Sequence, residues 1–153
     1  MEGGARSTPA RAPRTVRDVM VRKLVTVSED ASLGMARSSM RIHGIRHLLV
    51  VRRGKLVGLL SERDVLGAAA NHGVKTAWTM TAGQVMSTRL FTTTPKESLS
   101  AAARLLVEWK VGCLPVLSDG ELVGIVTTTD LLRDQAFGET EQPDEMPDGA
   151  RNL

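Results

Sequence analysis

A shift of 66 residues lays one stretch of this chain on another without a gap, and that repeat limits the fold more than any other feature of the sequence. Val19-Met20 falls on Val85-Met86, Ser32-Leu33 on Ser98-Leu99, Leu56-Val57-Gly58 on Leu122-Val123-Gly124, and Asp64 on Asp130. Of the 52 pairs from 15/81 to 66/132, 16 are identical, against about three or four for unrelated sequences. A unit of roughly 50 residues is too small to bury its own apolar face, so the two copies must pack on one another.

Each copy has the same order of elements. Val25-Thr26-Val27 reads as a short β-branched strand, matched by Phe91-Thr92-Thr93. Ser28 then caps a helix with Glu29 and Asp30 in its first turn, and Thr94-Pro95-Lys96-Glu97 reads as the matching capping box. Leu33, Ala36 and Met40, like Leu99, Ala102 and Leu106, recur at helical spacing, and Gly44 is a stop signal. A hairpin follows in each copy, turning at Arg52-Arg53-Gly54 and at Ser118-Asp119-Gly120. A second helix begins at Ser61 or Thr127, the first copy's ending at Asn71-His72-Gly73. Met20 and Met86, at matched positions, read as core filler.

This β-α-β-β-α unit resembles the cystathionine-β-synthase (CBS) domain. The pieces that carry the resemblance are Val16 to Met20, Gly44 to Val50 and Gly54 to Asp64, with Ala82 to Met86, Val111 to Val116 and Gly120 to Asp130 in the second copy. Two such motifs in tandem look like a Bateman module. The resemblance implies an α/β (α+β) fold of two CBS motifs packed sheet to sheet about a pseudo-twofold axis, and a homodimer. It divides the chain into a basic tail (1–14), motif 1 (15–70), a linker (71–81), motif 2 (82–137) and an acidic tail (138–153).

The same resemblance implies an adenosine-containing regulatory ligand, AMP, ADP, ATP or S-adenosylmethionine, held in clefts between the motifs, with no cofactor required. The family signature Gly-x-x-Ser/Thr-x-x-Asp stands here as Gly58, Ser61, Asp64 and as Gly124, Thr127, Asp130. A carboxylate accepts hydrogen bonds from ribose hydroxyls, and a helix N-terminus suits phosphate. By family analogy, Thr26, Val27, Ile45, Arg46, His47 and Leu48 bracket the adenine in one copy, and Thr92, Thr93, Val111, Gly112, Cys113 and Leu114 in the other. Plain helix capping also explains Ser61-x-x-Asp64 and Thr127-x-x-Asp130 without a ligand. Arg46 and Arg63 face Gly112 and Thr129 in the alignment, so the two sites should be unequal, with phosphates favouring the cleft that receives both arginines. Pro115 of the second copy is Leu49 in the first, which bears on the path of that strand.

Other classes of function find less support. His43, His47, His72 and Cys113 lack a known metal-ligand spacing, Ser61 lacks a hydrolase nucleophile elbow, and no P-loop or dinucleotide fingerprint occurs. The expectation is a non-enzymatic sensor that alters a regulated protein through ligand-dependent rearrangement. A ligand-free dimerisation or docking module is the alternative. Residues 1–23 carry a net charge of +4 and residues 134–153 one of −5, so nucleic-acid binding through a basic arm is a third, weaker reading. Aromatics are 3% with no Tyr, which leaves little for base-stacking on single strands. One cysteine and no bilayer-length apolar run suit a soluble cytoplasmic protein without membrane contact.

Overall fold

The computed structural model describes residues 14–137, and in it each copy carries a β-hairpin between two helices. In chain order the first copy contributes α1 (Val16–Val19), β1 (Thr26–Ser28), α2 (Leu33–His43), β2 (His47–Arg52), β3 (Lys55–Ser61) and α3 (Glu62–His72). After α4 (Val74–Thr79), the second contributes α5 (Ala82–Val85), α6 (Leu99–Glu108), β4 (Cys113–Ser118), β5 (Glu121–Thr127) and α7 (Thr128–Phe137). β1 pairs parallel with β2, and β2 antiparallel with β3; β4 and β5 form the second, two-stranded sheet. Both hairpins turn through two left-handed residues, Arg53-Gly54 and Asp119-Gly120, as a tight two-residue turn requires. Both also break register at the same repeat position, Val50/Val51 and Val116/Leu117.

The copies exchange their first helices. Val16, Val19 and Met20 of α1 and its cap are buried with Ala102, Leu106, Leu114, Val116 and Val126 of the second copy. Ala82, with Val85 and Met86 packed beside it, belongs to the core of the first copy, among Leu33, Ala36, Met40, Leu48, Val50 and Leu60. Reciprocal bridges mark the exchange, Val21 with Ile125 and Leu59 with Ser87, each 66 residues from its counterpart. Each methionine lies over the partner copy's signature glycine: a Cβ at Gly58 would sit 2.8 Å from Met86 Cγ, and one at Gly124 2.9 Å from Met20 Sδ. The glycines are therefore demanded by packing, whatever else the cleft does.

The exchange also moves the starts of two helices. Ser28 does not cap α2; its Oγ accepts from Asp30 N in a local turn, and Ser32 is the cap, accepting from Met35 N. Likewise Ser98, not Thr94, caps α6. Carbonyls in the intervening turns are occupied by the exchanged helices. Gly83 N donates to Glu29 O and Ala82 N to Ala31 O, while Arg17 N donates to Pro95 O and Val16 N to Glu97 O. They satisfy the orphan donors of α5 and α1.

The expected strand at Phe91-Thr92-Thr93 shrinks to one bridge, Thr93 with Val116. In the first copy, β1 runs for three residues and Glu29 N donates to Val51 O at its end. The second copy has Pro95 at the position of Glu29 and Pro115 at that of Leu49, so two ladder donors are missing. The segment joining the copies is also not a bare linker: α4 packs on α2 and α3, with Ala77 buried and Trp78 against the first core. Gly44, left-handed at φ 62°, ends α2 as expected. The tails lie outside the described residues except for Arg14, whose guanidinium pairs with Asp134 on α7 at 2.6 Å.

Candidate functional site

Two capped helix starts face the seam between the copies. Ser61 Oγ accepts from Asp64 N at 3.1 Å while Asp64 Oδ2 accepts from Ser61 N at 2.8 Å. In the second copy, Asp130 Oδ2 accepts from Thr127 N at 2.8 Å and from the Thr127 hydroxyl at 2.9 Å. Structural capping is thus real at both sites. It uses one carboxylate oxygen: among the described residues, every hydrogen bond to either carboxylate falls on Oδ2, which leaves Oδ1 available as an acceptor.

Asp130 lies in a cleft of about 670 Å³ between the copies. One wall comes from the first copy: Val21, Lys23 and Val25 leading into β1, then Gly44 to His47 and Leu49. The other comes from Gly112, Ile125 and the start of α7, Thr127 to Asp130 with Arg133. Lys23, Arg46 and Arg133 line the cleft with a single carboxylate, Asp130, which makes it receptive to anions. Burial raises the Asp130 carboxyl above the usual range, opposed by the Thr127 backbone N–H and hydroxyl and by the charge of Arg133. Near the seam, burial lowers the His47 imidazole; Asp64 works against that shift and Arg46 adds to it. Its ring lies against Gly112, where a Cβ would come within 2.8 Å of Nε2. The arginine-to-glycine difference between the copies thus makes room for a histidine. Burial, with Asp130 adding to it, pushes the Cys113 thiol up to about 12, as suits an inert side chain.

The cleft gathers Ile45, Arg46, His47, Gly112, Thr127, Thr129 and Asp130 from the expected residues. Thr26, exposed on β1, does not line it, nor does Val27, which packs on the first core. Leu48 and Leu114 are wholly buried, one in each core. Arg46 and Arg63 do not share this cleft: Arg46 lines it, and Arg63, exposed on the first turn of α3, does not. Gly112 and Thr129 of this lining correspond to Arg46 and Arg63 one repeat back, so the side on which both arginines fall together is that of Asp64.

The reciprocal bridges carry the 66-residue relation into three dimensions. Residues one repeat away from this lining are its counterparts about Asp64; of the expected residues these are Ser61, Arg63, Val111 and Cys113, with Arg46 and Gly112 common to both sets. The matched bonds Glu62 N to Arg46 O and Thr128 N to Gly112 O fix both helix starts in the same way. Of the remaining expected residues, Thr92 is exposed and Thr93 buried, beside the Val116 bridge. Sequence reasoning missed Val21, Lys23, Val25, Gly44, Leu49, Ile125, Thr128 and Arg133 as lining residues. The exchange brings the approach to β1 into the cleft, and only the matched Val-Met pairs hinted at it.

Among the described residues, no cluster of three or more His, Cys, Asp or Glu could hold a metal ion. None of the described helices is long and apolar enough to cross a membrane.

A duplicated half-domain with exchanged first helices and a capped carboxylate facing the seam defines a class of paired, cleft-forming modules. The CBS-domain family model matches residues 16–71 and 82–136, and the chain belongs to that family. It is 32% identical over 126 residues to the CBS domain-containing protein YhcV of Bacillus subtilis, covering 82% of this chain and 89% of that one. Of several longer curated relatives, this chain spans between 23% and 43%. The fold matches a CBS-domain containing protein, ATU1752 from Agrobacterium tumefaciens, with a TM-score of 0.76 at 23% identity, over 79% of this chain and 98% of that one. It also matches the CBS domain pair of protein MJ0100, solved in complex with 5-methylthioadenosine and S-adenosyl-L-methionine. There the TM-score is 0.73 at 27% identity, over 80% of this chain and 95% of that one.

Proposed function

We propose that this chain is a non-enzymatic sensor of adenine nucleotides. The carrying observation is the Asp130 cleft, where a half-buried carboxylate with one oxygen to spare shares the lining with Lys23, Arg46 and Arg133. Asp130 takes the ribose hydroxyls, and the cations take the phosphates. The complex of the MJ0100 pair with two adenosine derivatives supports the adenosine core. The local charge favours a phosphate-bearing form over the cationic sulfonium of S-adenosylmethionine, so affinity should fall from ATP through AMP to S-adenosylmethionine.

Ligand bound between the copies favours one arrangement of the pair, and a regulated protein reads it. The shift is limited by the difference in ligand affinity between the two arrangements. The module acts as a homodimer in the cytoplasm.

Isothermal titration with ATP, ADP, AMP, adenosine and S-adenosylmethionine tests this reading. Binding should occur, and Asp130→Ala should remove one binding event. A docking module with unoccupied clefts is the competing reading, favoured by Leu66 and Leu132, exposed at matched positions on α3 and α7. It wins if no ligand gives heat.

A further inference from the structure

The two copies differ in aromatic content at one place on the Asp64 side. Lys23 and Val25, which line the Asp130 cleft, have Arg89 and Phe91 as their counterparts one repeat on, and His43 has Trp109. The bridge of Ser87 to Leu59 matches that of Val21 to Ile125, so Arg89 and Phe91 stand to Asp64 as Lys23 and Val25 stand to Asp130. There the aromatic rings stack, with centroids 4.5 Å apart and planes 17° apart. The Arg89 guanidinium lies over both, 5.3 Å from the Phe91 centroid and 5.4 Å from that of Trp109. The chain has only two Phe, two Trp and no Tyr, yet half of these rings are spent here. Trp109 stays 41% exposed, so it gives the core little. At the matched positions the first copy has Lys23, Val25 and His43, and its arginine–tryptophan contact, Arg37 over Trp78 at 5.4 Å, joins α2 to α4 instead, so the shared fold does not require this stack.

A guanidinium held over aromatic faces keeps its N–H edge free, and it loses less freedom on binding than a flexible lysine does. Among the described residues, Arg89 has no carboxylate partner. We infer that Arg89, seated on the Phe91–Trp109 stack, is a phosphate-recognising cation on the Asp64 side, beside Arg46 and Arg63, with the phosphate of a nucleotide as its ligand. The inference rests on the proposed nucleotide reading, and it makes the clefts unequal in kind. The Asp130 cleft has Lys23 where the Asp64 side has a planar, preorganised fork suited to bidentate contact.

The test uses the full chain carrying Trp78→Phe, which leaves Trp109 as the sole tryptophan reporter. Titration with ATP should change its fluorescence. Asp64→Ala should abolish that change and Asp130→Ala should preserve it. Adding Arg89→Ala should weaken ATP binding at this cleft by about ten-fold or more, while adenosine binding changes less than about two-fold. Thermal melts confirm that each variant is folded. Unchanged ATP affinity in the Arg89 variant overturns the inference, as does a fluorescence response that depends on Asp130 and not on Asp64. Absence of calorimetric binding by any adenine nucleotide to the parent chain would instead remove the proposed function itself.

Discussion

Adding a single methyl group tests the exchange of helices directly. In Gly58→Ala the new Cβ would lie 2.8 Å from Met86 Cγ and 3.1 Å from Met86 Cβ. Rotating the methionine relieves the first contact but not the second, because Cβ moves only with the backbone. That backbone is held by Leu59 N to Ser87 O at 3.0 Å and Ser87 N to Leu59 O at 2.9 Å. Overpacking of this kind costs about 1–3 kcal/mol. At about 2–4 °C per kcal/mol for a chain of this size, the melting temperature should fall by roughly 2–12 °C. Gly67→Ala is the control, since a Cβ there meets nothing within 4 Å and alanine favours the helix by up to about 1 kcal/mol. Urea unfolding of Gly58→Ala, Met86→Ala and the double variant completes a cycle. The double variant should be more stable than the sum of the single costs implies, by about 1 kcal/mol, because truncation removes Cγ and Sδ from the clash. Strict additivity, or a Gly58→Ala chain as stable as the parent, would mean that α5 does not pack on the first copy's sheet.

Other outcomes follow from burial and connectivity. Cys113, with its thiol pushed up to about 12, should resist a disulfide reagent near pH 8, where the thiolate fraction is on the order of 10⁻⁴; it should react only as the chain unfolds, followed by absorbance against urea. With the His47 imidazole lowered, the folded chain binds fewer protons than the unfolded one just below pH 6.5. Stability should therefore rise with pH towards that value and then level off, and His47→Gln should flatten the rise in urea melts from about pH 5 to 7.5. A fragment of residues 22–87 contains the whole first core, whereas 15–70 lacks Ala77, Ala82 and Met86. Circular dichroism should find the longer fragment more helical per residue and the shorter one largely unfolded.

The hairpins and the capped starts of α3 and α7 were legible because their signals are local. Asp119-Gly120 and Ser61-x-x-Asp64 each specify a turn or cap within four residues. The starts of α2 and α6 were misread for the opposite reason. Ser28 and Thr94 have good capping chemistry, but the carbonyls just beyond them bond to helices from the other copy, and no local pattern encodes that. The loss of the strand at 91–93 was written in Pro95 and Pro115, yet its meaning depends on which donors the ladder needs. In the cleft, Asp130 and Arg46 could be found from the signature and from the difference between copies. Lys23 and Arg133 could not, because one reaches the cleft only through the exchange and the other sits beyond the motif.

The exchange bears on how a ligand in the cleft could be felt elsewhere. Val21 lines the Asp130 cleft and bridges Ile125, while its neighbour Met20 is buried in the second core over Gly124. The wall of the cleft and the plug of the core are thus adjacent residues. A close-packed core moves between discrete arrangements and does not deform smoothly. Ligand that widens the cleft at Val21 must therefore either break the Val21–Ile125 pair or carry α1 with it, together with the copy it plugs. The second course preserves both hydrogen bonds, 2.8 and 3.0 Å long, and every apolar contact of Met20. Rigid rotation of one half against the other is the less costly response, and under the proposed nucleotide reading it would couple the cleft to the relative placement of α3 and α7.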